Sequence, residues 1–266
     1  MTAASSPDYA DDLSLALEIA DTADAISLDR FRAADLVIET KPDRTPVTDA
    51  DQAVERAIRS RIADARPGDG IHGEEFGIEG ESNRQWIIDP IDGTANFLRG
   101  VPVWGTLVAL AVDGVPVVGV ASSPALGRRW WGSRGAGAWT ADATASGGAR
   151  RIAVSGVREL PDASLSFQSL AQWRDAGYLD RLLALSERVW RDRAYGDLWS
   201  YMLLAEGLVD IVAEFDVKPY DLAALVPIVE EAGGRLTSVT GDVELAHGSS
   251  LATNGLLHDA VVAALR

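Results

Sequence analysis

Cysteine is absent from the chain, which removes disulfides, thiolate metal sites, iron–sulfur clusters and cysteine nucleophiles. No apolar run approaches membrane-spanning length: Leu107–Val112 is far below the roughly 20 residues that a spanning helix requires. Base is scarce relative to acid, with 24 Lys and Arg against 40 Asp and Glu, a net charge of −16. Such a field repels nucleic-acid backbones and anionic membranes, so neither is expected as a partner. Only three histidines occur, His72, His247 and His258. They are too scattered to suggest a metal site, and each reads as a surface or turn residue. G-x-S-x-G, Walker and H-E-x-x-H motifs are missing, and so is any internal repeat. The segment Met1–Asp12 has neither a basic start nor an apolar stretch, and the location expected is the cytoplasm.

What is present is a foldable composition, 47% hydrophobic and 24% charged over 266 residues, with room for one large domain or two modest ones. After a loose leader at Met1–Pro7, apolar residues recur helically at Tyr9, Leu13, Leu17, Ala20, Ala23 and Ile26 and predict a helix to about Phe31. A loop with Pro42 and Pro46 follows. Thr48 opens a second helix with Val54, Ile58 and Ile62 on one face, ending before Pro67-Gly68. Short strands are expected at Gly70–Gly73 and Gln85–Ile88. Thr106–Val112 and Val115–Ala121 flank Asp113-Gly114 and predict a β-hairpin. Both runs are nearly continuous, so both faces of their sheet should be covered by helices.

Ala141–Arg150 is small and polar and reads as a linker between a half spanning 1–145 and a half spanning 146–266. Beyond it, strands are expected near Ile152–Ser155, Ala163–Phe167 and Val209–Ala213. Helices are expected at Leu179–Arg188, Asp197–Glu206, Tyr220–Ala232 (stopped by Gly233-Gly234) and Leu257–Leu265. The class is α/β.

Two motifs are decoys. Gly68-Asp69-Gly70-Ile71-His72-Gly73 fits G-x-G-x-x-G, yet it follows a helix, does not lead into one, and carries acids that would repel a pyrophosphate. Asp49-Ala50-Asp51 resembles a phosphatase D-x-D but falls in the first turn of a helix, not at a strand end. The informative segment is Trp86-Ile87-Ile88-Asp89-Pro90-Ile91-Asp92-Gly93-Thr94-Ala95-Asn96-Phe97. An apolar strand ends in two aspartates, with Pro90 and Gly93 shaping the turn so that both carboxylates and the Ile91 carbonyl can face one point. Three hard oxygen donors suit Mg²⁺, and a helix start at Gly93-Thr94 suits phosphate. The alternative is an acidic turn that merely caps a helix. Glu74-Glu75, Thr48 with Asp51, and Asp221 each have an equally plain explanation as exposed acids, a capping pattern or a helix-dipole partner. Their conjunction with the aspartate turn is what points to a metal site.

In order, Pro46-Val47-Thr48-Asp49-Ala50-Asp51, Gly73-Glu74-Glu75, the Asp89–Phe97 block, Tyr220-Asp221 and Glu230-Glu231-Ala232-Gly233-Gly234 resemble the inositol monophosphatase family, from about Leu13 to Leu265. The resemblance implies an αβαβα sandwich of the inositol monophosphatase / fructose-1,6-bisphosphatase type, usually a homodimer. It implies a Mg²⁺-dependent, Li⁺-sensitive phosphomonoesterase with two or three metal ions per site and Mn²⁺ as a substitute. By position it implies that Glu74, Asp89, the Ile91 carbonyl, Asp92 and Asp221 hold metal. Asp51 and Thr94 would orient the attacking water, which Glu74 helps deprotonate, and Gly93 and Thr94 would meet the phosphate. Gly196, Asp197, Glu214 and Asp221 would meet the leaving group. Ala95 stands where the family commonly has Thr or Lys, and Tyr220 where it has Trp; neither is a ligand position, so tuning is expected.

Glu74, Asp89, Asp92 and Asp221 would place four negative charges in one pocket, and a phosphate monoester adds about −1.5 to −2. Two unit charges 4 Å apart repel by about 4 kcal/mol at an effective dielectric near 20, so a small phosphate ester should bind only with cations present. Arg84-Gln85-Trp86, Arg99-Gly100-Val101-Pro102-Val103-Trp104, Arg128-Arg129-Trp130-Trp131 and Arg193-Ala194-Tyr195-Gly196-Asp197 resemble the actinobacterial histidinol-phosphatase branch of the family. Histidinol phosphate carries an ammonium and an imidazole, which acids at Asp197 and Glu214 would suit. The alternatives are an inositol-1-phosphate or broad sugar-phosphate phosphatase, and a Mg²⁺-binding regulatory protein without turnover. Asp197 could instead cap its helix, and Trp130-Trp131 reads as core or dimer packing.

Overall fold

The computed structural model describes residues 9–41, 45–142, 148–244 and 247–266. Helices α1 (Ala10–Arg30) and α2 (Asp49–Ala65) pack together on one face of an eight-stranded sheet. The buried stripe of α2, with Val54, Ile58 and Ile62, is the one the helical spacing marks, whereas on α1 the buried stripe holds Leu15, Ile19, Ala20 and Ala23, and the marked Leu13, Leu17 and Ile26 are only partly buried at its edges. A reciprocal cap starts α2: the Thr48 hydroxyl accepts from the amides of Ala50 and Asp51, and the Asp51 carboxylate accepts from the Thr48 amide. A small ribbon of β1 (Ile38–Thr40) and β2 (Pro46–Thr48) precedes it.

The large sheet contains β3 (Gly70–Gly73), β4 (Gly77–Glu79), β5 (Arg84–Asp92), β6 (Gly105–Val112), β7 (Val115–Ser123), β8 (Arg128–Ser133), β9 (Gly137–Asp142) and β10 (Arg150–Arg151). Its order is β10-β9-β8-β7-β6-β5-β3-β4, antiparallel except where β3 runs parallel to β5. Along β6, Leu107, Ala109 and Ala111 face one core while Val108 and Leu110 face the other. That two-sided burial is why the hairpin strands are apolar at almost every position. β5 ends in a register slip against β6 between Asp89 and Asp92, at the proline that cannot donate to the ladder. Short α3 (Thr94–Arg99) follows at once.

The second sheet has the order β12-β11-β13-β15-β14, from β11 (Ser164–Phe167), β12 (Arg191–Arg193), β13 (Ile211–Phe215), β14 (Arg235–Thr237) and β15 (Ser249–Thr253). Between the sheets lie α6 (Asp197–Ala205), α7 (Pro219–Leu222) and α8 (Leu225–Glu231). On the outer face lie α4 (Leu170–Asp175), α5 (Leu179–Ser186) and α9 (His258–Leu265). The layers therefore run α/β/α/β/α, as the family resemblance implies. Among the described residues, no helix is long and apolar enough to cross a membrane.

Several local expectations are corrected. The segment Ile152–Ser155 is not a strand: the amides of Ile152 and Val154 donate to Ala138 and Ala232, and Asn254 bonds Ser155. The single helix expected over Tyr220–Ala232 is two, α7 and α8, parted at Ala223-Ala224. The strand expected at Val209–Ala213 lies two residues later. His258 is buried, not superficial. The Thr237 hydroxyl donates to the Ser238 carbonyl, so it accepts from His258 Nε2, while Thr253 donates to Nδ1. Burial lowers the pKa of this ring to about 4, so it is neutral at physiological pH. Trp130 is fully buried with its indole N–H on Glu206, and half-buried Trp131 packs against the α1 and α2 side. The leader at Met1–Pro7 and Pro42 lie outside the described residues, as does the middle of the Ala141–Arg150 linker.

Helix α8 and the turn before it sit directly on β7. A Cβ at Gly119 would lie 2.0 Å from the Ala224 carbonyl oxygen, so only glycine admits this approach. Gly119→Ala is therefore expected to destabilise the fold by about 1–3 kcal/mol or more. Urea unfolding checks this, since an unchanged midpoint would show that the layers do not meet so closely.

Candidate metal centre and active site

Asp89 and Asp92 are placed by β5, whose apolar residues Trp86, Ile88 and Ile91 are buried. Asp221 comes from α7, where the amide of Lys218 donates to its Oδ2 at 2.7 Å. One ligand oxygen from each of Asp89, Asp92 and Asp221 lies within 4.8 Å of the others. Asp221 thus serves both readings of the sequence, sitting in the first turn of its helix and joining the cluster. Asp89 is held well above the usual carboxylate range, first by burial and then by the charges of Glu74, Asp92 and Asp221. Asp92 is raised by burial and by Asp197, although the Leu198 amide donates to it at 2.6 Å. Burial brings Asp221 up to about 7, and its hydrogen bond with Asp89 needs a proton between the two. Asp89 Oδ1 is buried without any donor. A desolvated acceptor on one of three clustered carboxylates is an arrangement that a divalent cation completes.

The fourth predicted side-chain ligand is placed differently. Glu74 is close enough to bear electrostatically on Asp89 and Asp221, but its Oε1 is 2.7 Å from Lys41 Nζ, which also holds Glu75 at 2.7 Å. Lys41 is a residue that motif matching missed. Its rarity was the available signal, because Lys41 and Lys218 are the only lysines in the sequence and both lie at this site.

Beside the cluster, the Thr94 hydroxyl lies 3.3 Å from Asp51 Oδ1 and 3.0 Å from the Ile91 carbonyl. Asp51 is buried and raised, first by that burial. Ala50, Ile91, Phe97 and Trp104 form one buried cluster that ties the starts of α2 and α3 to the end of β5. Gly93 has φ 84°, and a Cβ there would lie 3.1 Å from the Val103 carbonyl and 3.3 Å from Asp197 Oδ2. The acidic motif at Asp49-Ala50-Asp51 is not a nucleophile pair, since Asp49 is bound by Arg30 at 2.8 Å. The glycine decoy forms β3 and leads through a turn into β4, with no helix for a pyrophosphate.

A cavity of about 160 Å³ adjoins the cluster and is lined in part by Asp92, Asp197, Tyr201, Glu214 and Asp221. Glu214 is buried, accepts a hydrogen bond from the Tyr201 hydroxyl and is raised to about 8 by desolvation. Asp197 does not cap α6: no side-chain cap forms there, and its carboxylate is bonded from other elements. No cationic side chain among the described residues reaches either carboxylate. Of the two departures from the family pattern, Ala95 is exposed and Tyr220 is half-buried with its ring edge-on to His72.

Comparison with known proteins places this arrangement in context. The inositol monophosphatase family pattern matches residues 8–266. A histidinol-phosphatase of Mycobacterium tuberculosis is 57% identical, over 96% of this chain and 98% of that protein. One from Streptomyces coelicolor is 53% identical, over 95% and 96%. The crystal structure of the extragenic suppressor protein SuhB from Bartonella henselae superposes with a TM-score of 0.87 at 28% identity, covering 97% of this chain and 99% of that one.

The raised carboxylates make stability depend on pH. Asp221 moves from 3.8 to about 7 and Glu214 from 4.5 to about 8. Between those limits the folded chain binds more protons than the unfolded one, so stability is lost as pH rises through the folded values. His258 acts in the opposite sense, but only below 6.5. The metal-free chain is therefore expected to melt a few degrees lower at about pH 8.5 than at about pH 6.5. Mg²⁺ should restore more of the midpoint at the higher pH. A midpoint indifferent to both pH and Mg²⁺ would contradict the cluster's electrostatics.

Proposed function

The chain belongs to the inositol monophosphatase family, and we propose that it is a Mg²⁺-dependent phosphomonoesterase that converts L-histidinol phosphate to L-histidinol and phosphate in histidine biosynthesis. The observation that carries the hydrolytic reading is the Asp89–Asp92–Asp221 cluster, built on buried Asp89 with its undonated oxygen. Support for the substrate comes from the adjoining cavity, whose acids Asp197 and Glu214 lack a cationic partner among the described residues, and from the 57% identity to a histidinol-phosphatase.

When bound, Mg²⁺ supplies the positive charge that offsets these acids and lowers the pKa of a coordinated water. Asp89, the Ile91 carbonyl, Asp92 and Asp221 would hold it, joined by Glu74, with two or three ions per site, Mn²⁺ as a substitute and Li⁺ as an inhibitor. Thr94, whose hydroxyl proton lies between the Ile91 carbonyl and the Asp51 carboxylate, keeps lone pairs with which to accept from the attacking water and aim it at phosphorus. Glu74 helps remove the water's proton. Gly93 and Thr94, at the start of α3, face the phosphate. Attack forms the new P–O bond, the ester P–O bond breaks, and the leaving alkoxide takes up a proton. Gly196, Asp197, Glu214 and Asp221 lie on the leaving-group side, where an ammonium or imidazolium finds acids and a neutral polyol does not. In this reading the 1–145 half contributes most metal ligands, and the 146–266 half contributes Asp221 and the leaving-group contacts. The family resemblance supports a homodimer, and we place the activity in the cytoplasm.

A phosphate-release assay with Mg²⁺ on histidinol phosphate, inositol 1-phosphate and fructose 1,6-bisphosphate tests the proposal. The expected result is a kcat/KM for histidinol phosphate at least about tenfold above the others. Asp92→Asn should abolish release at every pH and weaken Mg²⁺ binding. Equal rates on the three esters would overturn the substrate, and no release from any of them would favour a non-catalytic Mg²⁺-binding protein.

A further inference from the structure

Asp197 has φ 48°, in the left-handed region that a non-glycine residue enters only at an energetic cost. Something must hold it there, and its own helix does not. Gln168, one residue beyond the end of β11, grips it at two points: Nε2 donates to Asp197 Oδ1 at 2.8 Å, and Oε1 accepts from the Asp197 amide at 3.0 Å. The two contacts fix the orientation of the glutamine amide, because a flipped group would oppose donor to donor and acceptor to acceptor. Asn96 Nδ2 completes the clamp on the other carboxylate oxygen at 2.7 Å. Gly196 makes room for it: with φ 79°, a Cβ there would lie 2.5 Å from Gln168 Oε1.

The donors in this clamp are all neutral. Of the 24 basic residues in the chain, 22 are arginine, yet none among the described residues is used here, whereas Asp24 takes Arg129 and Glu206 takes Arg128; buried Asp210, away from the site, is likewise held by neutral donors. Amide donors orient a carboxylate without cancelling its charge. Each Asp197 oxygen keeps a further lone pair for a ligand cation. Gln168 and Asp197 also line a second cavity of about 400 Å³ beside Ala95 and Tyr195, so the clamped carboxylate borders both cavities.

Resting on the proposed substrate class, we infer that Gln168 is the positioning residue that gives the site its selectivity for a cationic leaving group, by presenting the Asp197 carboxylate in a fixed direction with its charge intact. Steady-state kinetics of the wild-type chain, Gln168→Leu and Gln168→Glu on histidinol phosphate and inositol 1-phosphate test this, at saturating Mg²⁺. Gln168→Leu removes both contacts. Gln168→Glu keeps an acceptor for the Asp197 amide but no donor for its carboxylate, and it carries the test if the leucine variant fails to fold. In both, the ratio of kcat/KM for histidinol phosphate over inositol 1-phosphate should fall at least about tenfold, with the loss in KM for the amine substrate. A wild-type preference that survives in the variants overturns the clamp, as does a parallel fall on both substrates, which marks a structural role only. A wild-type chain without the preference overturns the substrate reading itself, a result distinct from either.

Discussion

Mutual repulsion among Asp89, Asp92 and Asp221 is the constraint around which this molecule is organised. Their oxygens lie within 4.8 Å of one another, and at such separations an ionised pair repels by a few kcal/mol at an effective dielectric near 20. Net folding stabilities are only about 5–15 kcal/mol, so the rest of the structure must hold the cluster against itself. It does so from two sides. The buried strand residues Trp86, Ile88 and Ile91 fix the first two aspartates, while buried Leu222 and the Lys218 amide fix the third.

The layered architecture follows from the need to bring distant segments to that point. The large sheet delivers Asp89 and Asp92 at a slip in its ladder, and the helical layer between the sheets delivers Asp197 and Asp221. The second sheet delivers Glu214. Acids at the site differ in their partners from several others in the chain. Asp24, Glu55 and Glu206 meet arginines and are neutralised in place. Asp92, Asp197 and Glu214 meet an amide, two carboxamides and a phenol respectively, so no protein cation among the described residues offsets them and a cationic ligand can. Glu74 is the exception, sharing Lys41 with Glu75.

Much of this was legible in the sequence where one local rule governs. The spacing of Ala20 and Ala23 or of Ile58 and Ile62, the Thr48 cap and the Asp113-Gly114 turn each specify their element without help. The site motifs were legible because a strand, a proline and two aspartates constrain each other within a few residues. What escaped depends on partners remote in sequence. Ile152–Ser155 has the composition of a strand, but its polar groups go to Ala138, Ala232 and Asn254. The break at Ala223-Ala224 arises where the backbone presses on Gly119, a hundred residues earlier in the chain. Neither Gln168 nor Lys41 could be assigned from its neighbours, because each acts on an acid about 30 residues away.

The central claim is that the Asp89–Asp92–Asp221 cluster is a cation site, and anomalous diffraction from crystals soaked in Mn²⁺ tests it most directly. The account predicts an anomalous peak among these three carboxylates, lost in Asp89→Asn crystals. Crystals that take up Mn²⁺ only elsewhere, or not at all, would contradict it.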